Sequence, residues 1–371
     1  MTAKHYLPLL ILPLVVLAFF AWRRYGPVNA TAVPGRWSAE QAQIWYDKEP
    51  WLVGANFIPS TAINQLEMWQ ADTFDTITID KELGYAEGIG MNVMRVFLHN
   101  LLWEQDAEGF KQRIDTFLQI ADRHHIKIMF VLFDSCWNDD PKPGKQPAPV
   151  MGKHNSGWVR APGTKRLNEL STWPGLKAYT QGVLTAFATD KRVLLWDLYN
   201  EPTNSGYGDG VLPLLTETFR WARAVRPSQP ITVCQWDDSR RVTAFAFANS
   251  DVISFHNYED APKLEKAIQG MSKMERPLIC TEYMARTKNS LFSTCLPVMK
   301  KYRVGAINWG LVKGKTNTIY SWTEPMPNGQ EPTVWFHDIF RPDGSAFDQR
   351  ETTLIRQLTA TNATAKPVAQ R

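Results

Sequence analysis

Eight short runs of β-branched and aromatic residues, spread between residues 51 and 310, constrain this chain more than any other feature. They are WLVGANF (51–57), NVMRVFL (92–98), IKIMFVLF (126–133), RVLLWDLY (192–199), PITVCQW (230–236), DVISFHNY (251–258), RPLICTEY (276–283) and VGAINWG (304–310). Between them lie longer stretches such as FKQRIDTFLQIADRHH, LKAYTQGVLTAFATD and LLTETFRWARAV. Their apolar residues recur at the three- and four-residue spacing of amphipathic helices. Apolar strands that are each followed by a helix or a long connection read as a parallel sheet buried on both faces. Eight such units in about 320 residues predict an α/β fold, a closed (β/α)8 TIM barrel, with an open doubly wound sheet as the alternative. No Gly-rich phosphate loop follows the first strand, which weighs against that alternative.

The chain ends are expected to lie outside the barrel. Lys4 and His5 precede YLPLLILPLVVLAFFAW, an uncharged run of 17 residues, and Arg23-Arg24 closes it. That length is borderline for a membrane span and slightly long for the apolar region of a signal peptide. An A-x-A pattern at Ala30 to Ala32 lies well past the arginines. The reading favours an uncleaved signal-anchor over a cleaved signal. Either way the chain is expected to be exported, anchored at the cell envelope or periplasm, or else secreted. The predicted organisation is residues 1–35 as signal-anchor or signal peptide plus linker, 36–360 as one barrel domain, and 361–371 as a disordered tail. A monomer is expected.

Composition excludes little and suggests something. The net charge of +4 comes with no basic run, so nothing points to nucleic acid. The 15 Trp suit either a large aromatic core or flat faces on which sugar rings stack. Cys136, Cys234, Cys280 and Cys295 have no zinc spacing, and Cys234 and Cys280 fall inside apolar runs, where buried thiols are expected; a disulfide stays open.

In a (β/α)8 barrel the active site lies at the C-terminal ends of the strands. Arg95 lies in the second strand, and Asn200 and Glu201 end the fourth. His256 and Tyr258 end the sixth, Glu282 ends the seventh and Trp309 lies near the end of the eighth. Each has an ordinary structural explanation alone, but together they gather on one predicted rim. Two carboxylates facing each other across a barrel mouth suit glycoside hydrolysis, which needs an acid for the leaving oxygen and a second carboxylate beneath the anomeric carbon. Like charges at short range push one pKa up and keep the acid protonated near neutrality. Tyr258 and Arg95 are suitable donors to hold the other carboxylate ionised. Asn200 is placed to bond a sugar 2-hydroxyl, and Trp309 offers a flat face for a pyranose ring.

This pattern resembles the clan A glycoside hydrolases, and within them most closely glycoside hydrolase family 5, the cellulase and mannanase family. The resemblance implies that YNEP supplies the acid/base at Glu201, preceded by Asn200, and that CTEY supplies the nucleophile at Glu282. FHNY matches the sixth-strand His-x-Tyr at His256 and Tyr258, while Arg95 and Trp309 match the second-strand Arg and eighth-strand Trp. The likeness runs from about residue 51 to 358 in the expected order. It implies a retaining enzyme acting on a β-linked oligo- or polysaccharide with neither metal nor organic cofactor. Retention in turn implies carboxylates about 5–5.5 Å apart. A non-catalytic glycan-binding barrel and an unrelated, metal-using barrel enzyme are the alternatives.

One position departs from the family. A His is usual near the end of the third strand, and here the chain reads LFDSCWND. Asp134, Trp137 and Asn138 are the candidates to take over its contacts. Residues 138–172, with Trp158 at their centre, and the stretch TIYSWTEPMPNGQEPTVWFHD after the eighth strand form long aromatic loops. Such loops above a barrel mouth commonly wall off binding subsites.

Overall fold

A computed structural model describes residues 31–234 and 239–360. All eight expected strands are present within two or three residues of the expected bounds at each end, except that the end of the fifth lies outside the described residues. They are β1 (Val53–Asn56), β2 (Val93–Phe97), β3 (Lys127–Asp134), β4 (Val193–Asn200), β5 (Ile231–Cys234), β6 (Ile253–His256), β7 (Leu278–Glu282) and β8 (Gly305–Asn308). All pair in parallel, in the order β5-β4-β3-β2-β1-β8-β7-β6. The fold is a nearly closed TIM barrel. The open doubly wound sheet is thereby ruled out.

Strands and helices form for legible reasons. β4 reads VLLWDLYN and is buried at every position, because helices cover its outer face and other side chains fill the barrel inside it. The helix Asn100–Arg123 sets Phe110, Ile114, Phe117, Leu118 and Ala121 on one buried stripe. The helix Ala261–Met271 starts at Asp260, whose side chain accepts from the Lys263 amide, with Pro262 in its first turn; Leu264 and Ile268 face inward. At Gly54 in β1 an added Cβ would lie 1.7 Å from the Val93 carbonyl oxygen, so β1 and β2 can approach this closely only without a side chain there.

The bottom of the barrel is plugged. The helix Ala39–Asp47 packs Ala42 and Tyr46 against Val93, Met129, Leu195, Ile279 and Ile307 from five strands. Its Tyr46 hydroxyl donates to the Arg303 carbonyl at 2.8 Å. The folded unit also begins slightly before the expected boundary at 36. Val33 is buried, and its amide donates to Asn249 Oδ1 at 2.6 Å.

Closure differs from a full ladder at one seam. β5 and β6 are not paired as strands, and Asp251, just before β6, takes over. Its amide donates to the Ile231 carbonyl and its Oδ2 accepts from the Ile231 amide, both at 2.8 Å. The same carboxylate accepts two bonds from Arg223 at 2.8 Å and one from the Trp37 amide at 2.7 Å. One layer up, the hydroxyls of Thr232 and Ser254 meet at 2.8 Å.

This clamp is a strong test of the closure. Asp251→Ala strands the Arg223 guanidinium, 9% exposed, without its carboxylate. Removing one partner of a buried pair costs about 3–5 kcal/mol. Urea unfolding should show a loss of that size, and a loss below about 1 kcal/mol, the scale of an exposed pair, would show that the seam does not depend on Asp251.

Candidate active site

Parallel register brings the rim residues together in pairs. Asn56 is opposite Arg95, Asp134 opposite Asn200, and His256 opposite Glu282. Inside the barrel, Arg95 is fully buried and spends its guanidinium on four side chains. Nε and Nη2 donate to Asp197 Oδ2 at 3.2 and 2.8 Å, and Nη2 also donates to Asn200 Oδ1 at 2.6 Å. Nη1 donates to Asn56 Oδ1 at 2.8 Å and to Glu282 Oε1 at 3.0 Å.

Glu201 follows the last residue of β4 with φ of +41°, in the left-handed region that a side chain rarely occupies. Its amide still donates to the Cys234 carbonyl at 2.7 Å, and Pro202, with no N–H, cannot extend the ladder. The chain therefore turns at the strand tip. Glu201 Oε2 accepts from Asn204 Nδ2 at 2.6 Å and from the Cys136 thiol at 3.1 Å. Across the mouth, Glu282 Oε2 accepts from the Tyr258 hydroxyl at 2.8 Å.

His256 stands between the two carboxylates. Its Nδ1 is 2.6 Å from Glu201 Oε1 and its Nε2 is 3.3 Å from Glu282 Oε1. Oxygens of Glu201 and Glu282 and a ring nitrogen of His256 all lie within 4.8 Å of one another. Burial lowers the His256 pKa to about 4, so the ring is neutral at physiological pH. Burial raises Glu282 to about 7; the Glu201 charge adds to the rise, while His256, Arg95 and the Tyr258 bond oppose it. The sequence expects the elevation on Glu201 and does not anticipate this rise at Glu282.

The cleft above these groups has a volume of about 320 Å³. Its lining includes Asp134, Trp137, Trp158, Asn200, Tyr258 and Trp309, all expected from the sequence. Asp134 accepts from Asn200 Nδ2 at 2.9 Å and Trp158 Nε1 at 2.7 Å, and burial pushes its carboxyl up to about 6. Asn200 is thus committed to Arg95 and Asp134 as well as facing the cleft. Trp158 and Trp309 meet edge to face at 5.7 Å, and Phe97 packs on both. Asn138 does not line the cleft. Its amide instead donates to the Ser156 and Trp158 carbonyls, bracing the loop that carries Trp158.

Several lining residues were not anticipated: Cys136, His154, Asn155, Asn204, Ser205 and Trp322. Cys136 occupies the stretch where the third-strand His is missing. Burial and the charges of Asp134, Glu201 and Glu282 push its thiol well above the usual range, so it remains an S–H donor. All four cysteines are free and buried.

A family model described as Cellulase (glycosyl hydrolase family 5) matches residues 59–323. The chain belongs to glycoside hydrolase family 5. It is accordingly a glycoside hydrolase, acting on glycosyl bonds. Among solved structures, a variant of GH5_18 from Streptomyces cattleya in complex with Manβ1-4GlcNAc superposes with a TM-score of 0.59. It is 12% identical, and the match covers 87% of this chain and 83% of that one. An exo-β-1,4-mannosidase from Opitutaceae bacterium strain TAV5 gives 0.57 at 15% identity, over 84% of this chain and 60% of that one. The endo-β-1,4-mannanase from Thermotoga petrophila gives 0.52 at 13% identity, over 88% and 80%. At these identities the likeness carries the fold. No curated protein matches the chain.

The proximity of the two carboxylates has a direct consequence. Glu282→Gln removes a neighbouring negative charge and should lower the Glu201 pKa, read by infrared or carboxyl NMR titration. An unchanged or higher value would show that the two groups do not interact.

Proposed function

We propose that this family 5 enzyme is a retaining glycosidase acting on β-linked glycans, with Glu282 as nucleophile and Glu201 as acid/base. The observation that carries the reading is the placement of the two carboxylates, with oxygens within 4.8 Å across the mouth. Retaining pairs stand about 5–5.5 Å apart, whereas inverting pairs need about 6.5–9.5 Å to admit a water. In the first step Glu282 attacks the anomeric carbon, the glycosidic C–O bond breaks, and Glu201 gives its proton to the leaving oxygen. In the second, Glu201 takes a proton from water, which attacks the same carbon and releases Glu282.

The surroundings fit these roles. A neutral imidazole has one donor and one acceptor nitrogen. With Glu201 protonated, its O–H can donate to His256 Nδ1, leaving Nε2–H toward the Glu282 carboxylate. Arg95 and Tyr258 donate to that carboxylate and favour its charged form. The nucleophile is held by groups that do not leave with the substrate. The names of the similar solved proteins make β-mannosides the first substrates to try, beside β-glucosides and xylosides.

Among the described residues Glu201, His256 and Glu282 form the one set of three side chains close enough to bind a metal ion. The Arg95 cation lies 3.0 Å from Glu282, and Tyr258 and Asn204 already donate to the two carboxylates, which opposes a second cation there. Chelation with EDTA should therefore leave activity unchanged; a loss restored by added metal would favour the metal-using alternative.

Residues 1–30, including the apolar run, lie outside the described residues, as does the tail at 361–371. Among the described residues no helix is long and apolar enough to cross a membrane. The apolar run and its flanking charges support export with retention at the membrane. Fractionation of the producing cells tests this, and a protein cut near Ala32 would favour secretion.

Variants separate the two glutamates. Glu282→Ala should abolish turnover of every substrate. Glu201→Ala should keep the first step for dinitrophenyl glycosides, whose leaving group needs no proton, and added azide should then restore turnover as a β-glycosyl azide. Near-normal activity of both variants on a natural polymer would contradict the assignment.

A further inference from the structure

The two long connections over the barrel mouth are tied together. The Asn155 amide donates to the Thr316 carbonyl at 2.8 Å, and the Met326 amide donates to the Gly152 carbonyl at 3.0 Å. The Asn317 side chain donates to the Val150 carbonyl at 2.9 Å, and His154 Nδ1 bonds the Tyr320 carbonyl at 2.8 Å. The loop after β3 and the loop after β8 thus make one strap over β1 and β2, which lie between them in the sheet.

This strap ends the cleft. Behind the Trp158–Trp309 wall the space falls to about 20 Å³, lined by strap residues Thr316 and Thr318 and by β1 residues Asn56 and Phe57. A polymer cannot thread past that wall. On the opposite side, beyond Glu201, the lining among the described residues ends at Asn204 and the exposed Ser205. The cleft itself lies near the bottom of the range for small-ligand sites, about 300–1,000 Å³.

The strap's inner face also carries unspent hydrogen-bonding capacity. Asn155 is 1% exposed and lines the cleft, yet neither amide atom of its side chain has a partner. His154 is 2% exposed, and burial lowers its pKa to about 4. Its Nδ1 must carry the proton to donate to the Tyr320 carbonyl, so Nε2 is a bare acceptor, also without a partner. Buried polar atoms left unpaired are costly and call for an explanation. A donor–acceptor amide beside an acceptor nitrogen matches adjacent sugar hydroxyls, each of which both donates and accepts.

We infer that the enzyme cuts single sugars from the non-reducing ends of β-linked chains, with Asn155 and His154 on the strap binding hydroxyls of the terminal ring. The inference rests on the glycosidase reading above and sets its direction. The leaving group, protonated by Glu201, departs over Ser205 into solvent, and the terminal ring occupies the closed end between Glu282, Trp309 and the strap.

Time-resolved digestion of reducing-end-labelled β-1,4-linked manno- and gluco-pentaose tests it. Wild-type enzyme should release monosaccharide and labelled tetramer first, and the viscosity of soluble galactomannan or carboxymethylcellulose should barely change. Early labelled dimers and trimers, or a rapid fall in viscosity, overturn this inference alone. No hydrolysis of these or of aryl glycosides overturns the glycosidase reading and this inference with it. Asn155→Ala should lower kcat/KM for aryl β-mannoside or β-glucoside about tenfold or more. The 3-deoxy and 4-deoxy aryl glycosides should be poor wild-type substrates, and that penalty should shrink in Asn155→Ala. A folded Asn155→Ala variant with unchanged kcat/KM and full discrimination against the deoxy substrates overturns the role given to Asn155.

Discussion

One buried cation organises this molecule. Arg95 points into the barrel with no exposure, and taking a guanidinium out of water is tolerable only when its donors and charge are matched. Asp197 and Glu282 supply the charge, and Asn56 and Asn200 accept two further bonds. These four residues come from β1, β4 and β7 and Arg95 from β2, so the network links strands across the barrel interior. Glu282 is held where it is because Arg95 is already fixed by three other partners. Fixing the proposed nucleophile this way fits a reaction whose charge moves between two carboxylates, since prealigned groups need no reorganisation when the charge shifts.

The same logic extends to the second carboxylate. Glu201 is not reached by Arg95 but is held by Asn204, Cys136 and His256, all at or above the rim. The two carboxylates are equally buried, each 6% exposed, but different groups hold them. His256 lies against both, bonding Glu201 through Nδ1 and facing Glu282 with Nε2, and its ring is neutral. The left-handed backbone at Glu201 is local strain at the point where the side chain must leave the strand direction.

Much of this was legible in the sequence, for a physical reason. Strands buried on both faces read as apolar runs, so Arg95 stood out inside one of them, and Asp134, Asn200, Glu201, His256 and Glu282 stood out as polar residues at their tips. Parallel register then converted shared position along the strands into contact. The β5–β6 seam was not legible, because apolar periodicity reports burial and not whether two strands exchange ladder bonds. The strap was not legible either: His154 meets Tyr320 across 166 positions through a backbone carbonyl, which carries no residue-type signal. Asn138 was misplaced because a polar residue just past a strand tip can as easily brace its own loop as face the cleft. Cys136 was passed over because it lies in the polar stretch DSCWND without metal spacing, and nothing in its residue type signals that its sulfur touches Glu201.

The proposed retaining mechanism requires Glu282 to form a covalent bond to the sugar. Incubation with a 2-deoxy-2-fluoro β-glycoside bearing an activated leaving group should slow the second step enough to accumulate that species. Mass spectrometry of the intact protein should show one fluoroglycosyl adduct, and peptide mapping should place it on Glu282. An adduct on another residue, or a proton NMR time course in which the first-formed sugar is the α-anomer, would contradict the retaining mechanism and the role assigned to Glu282.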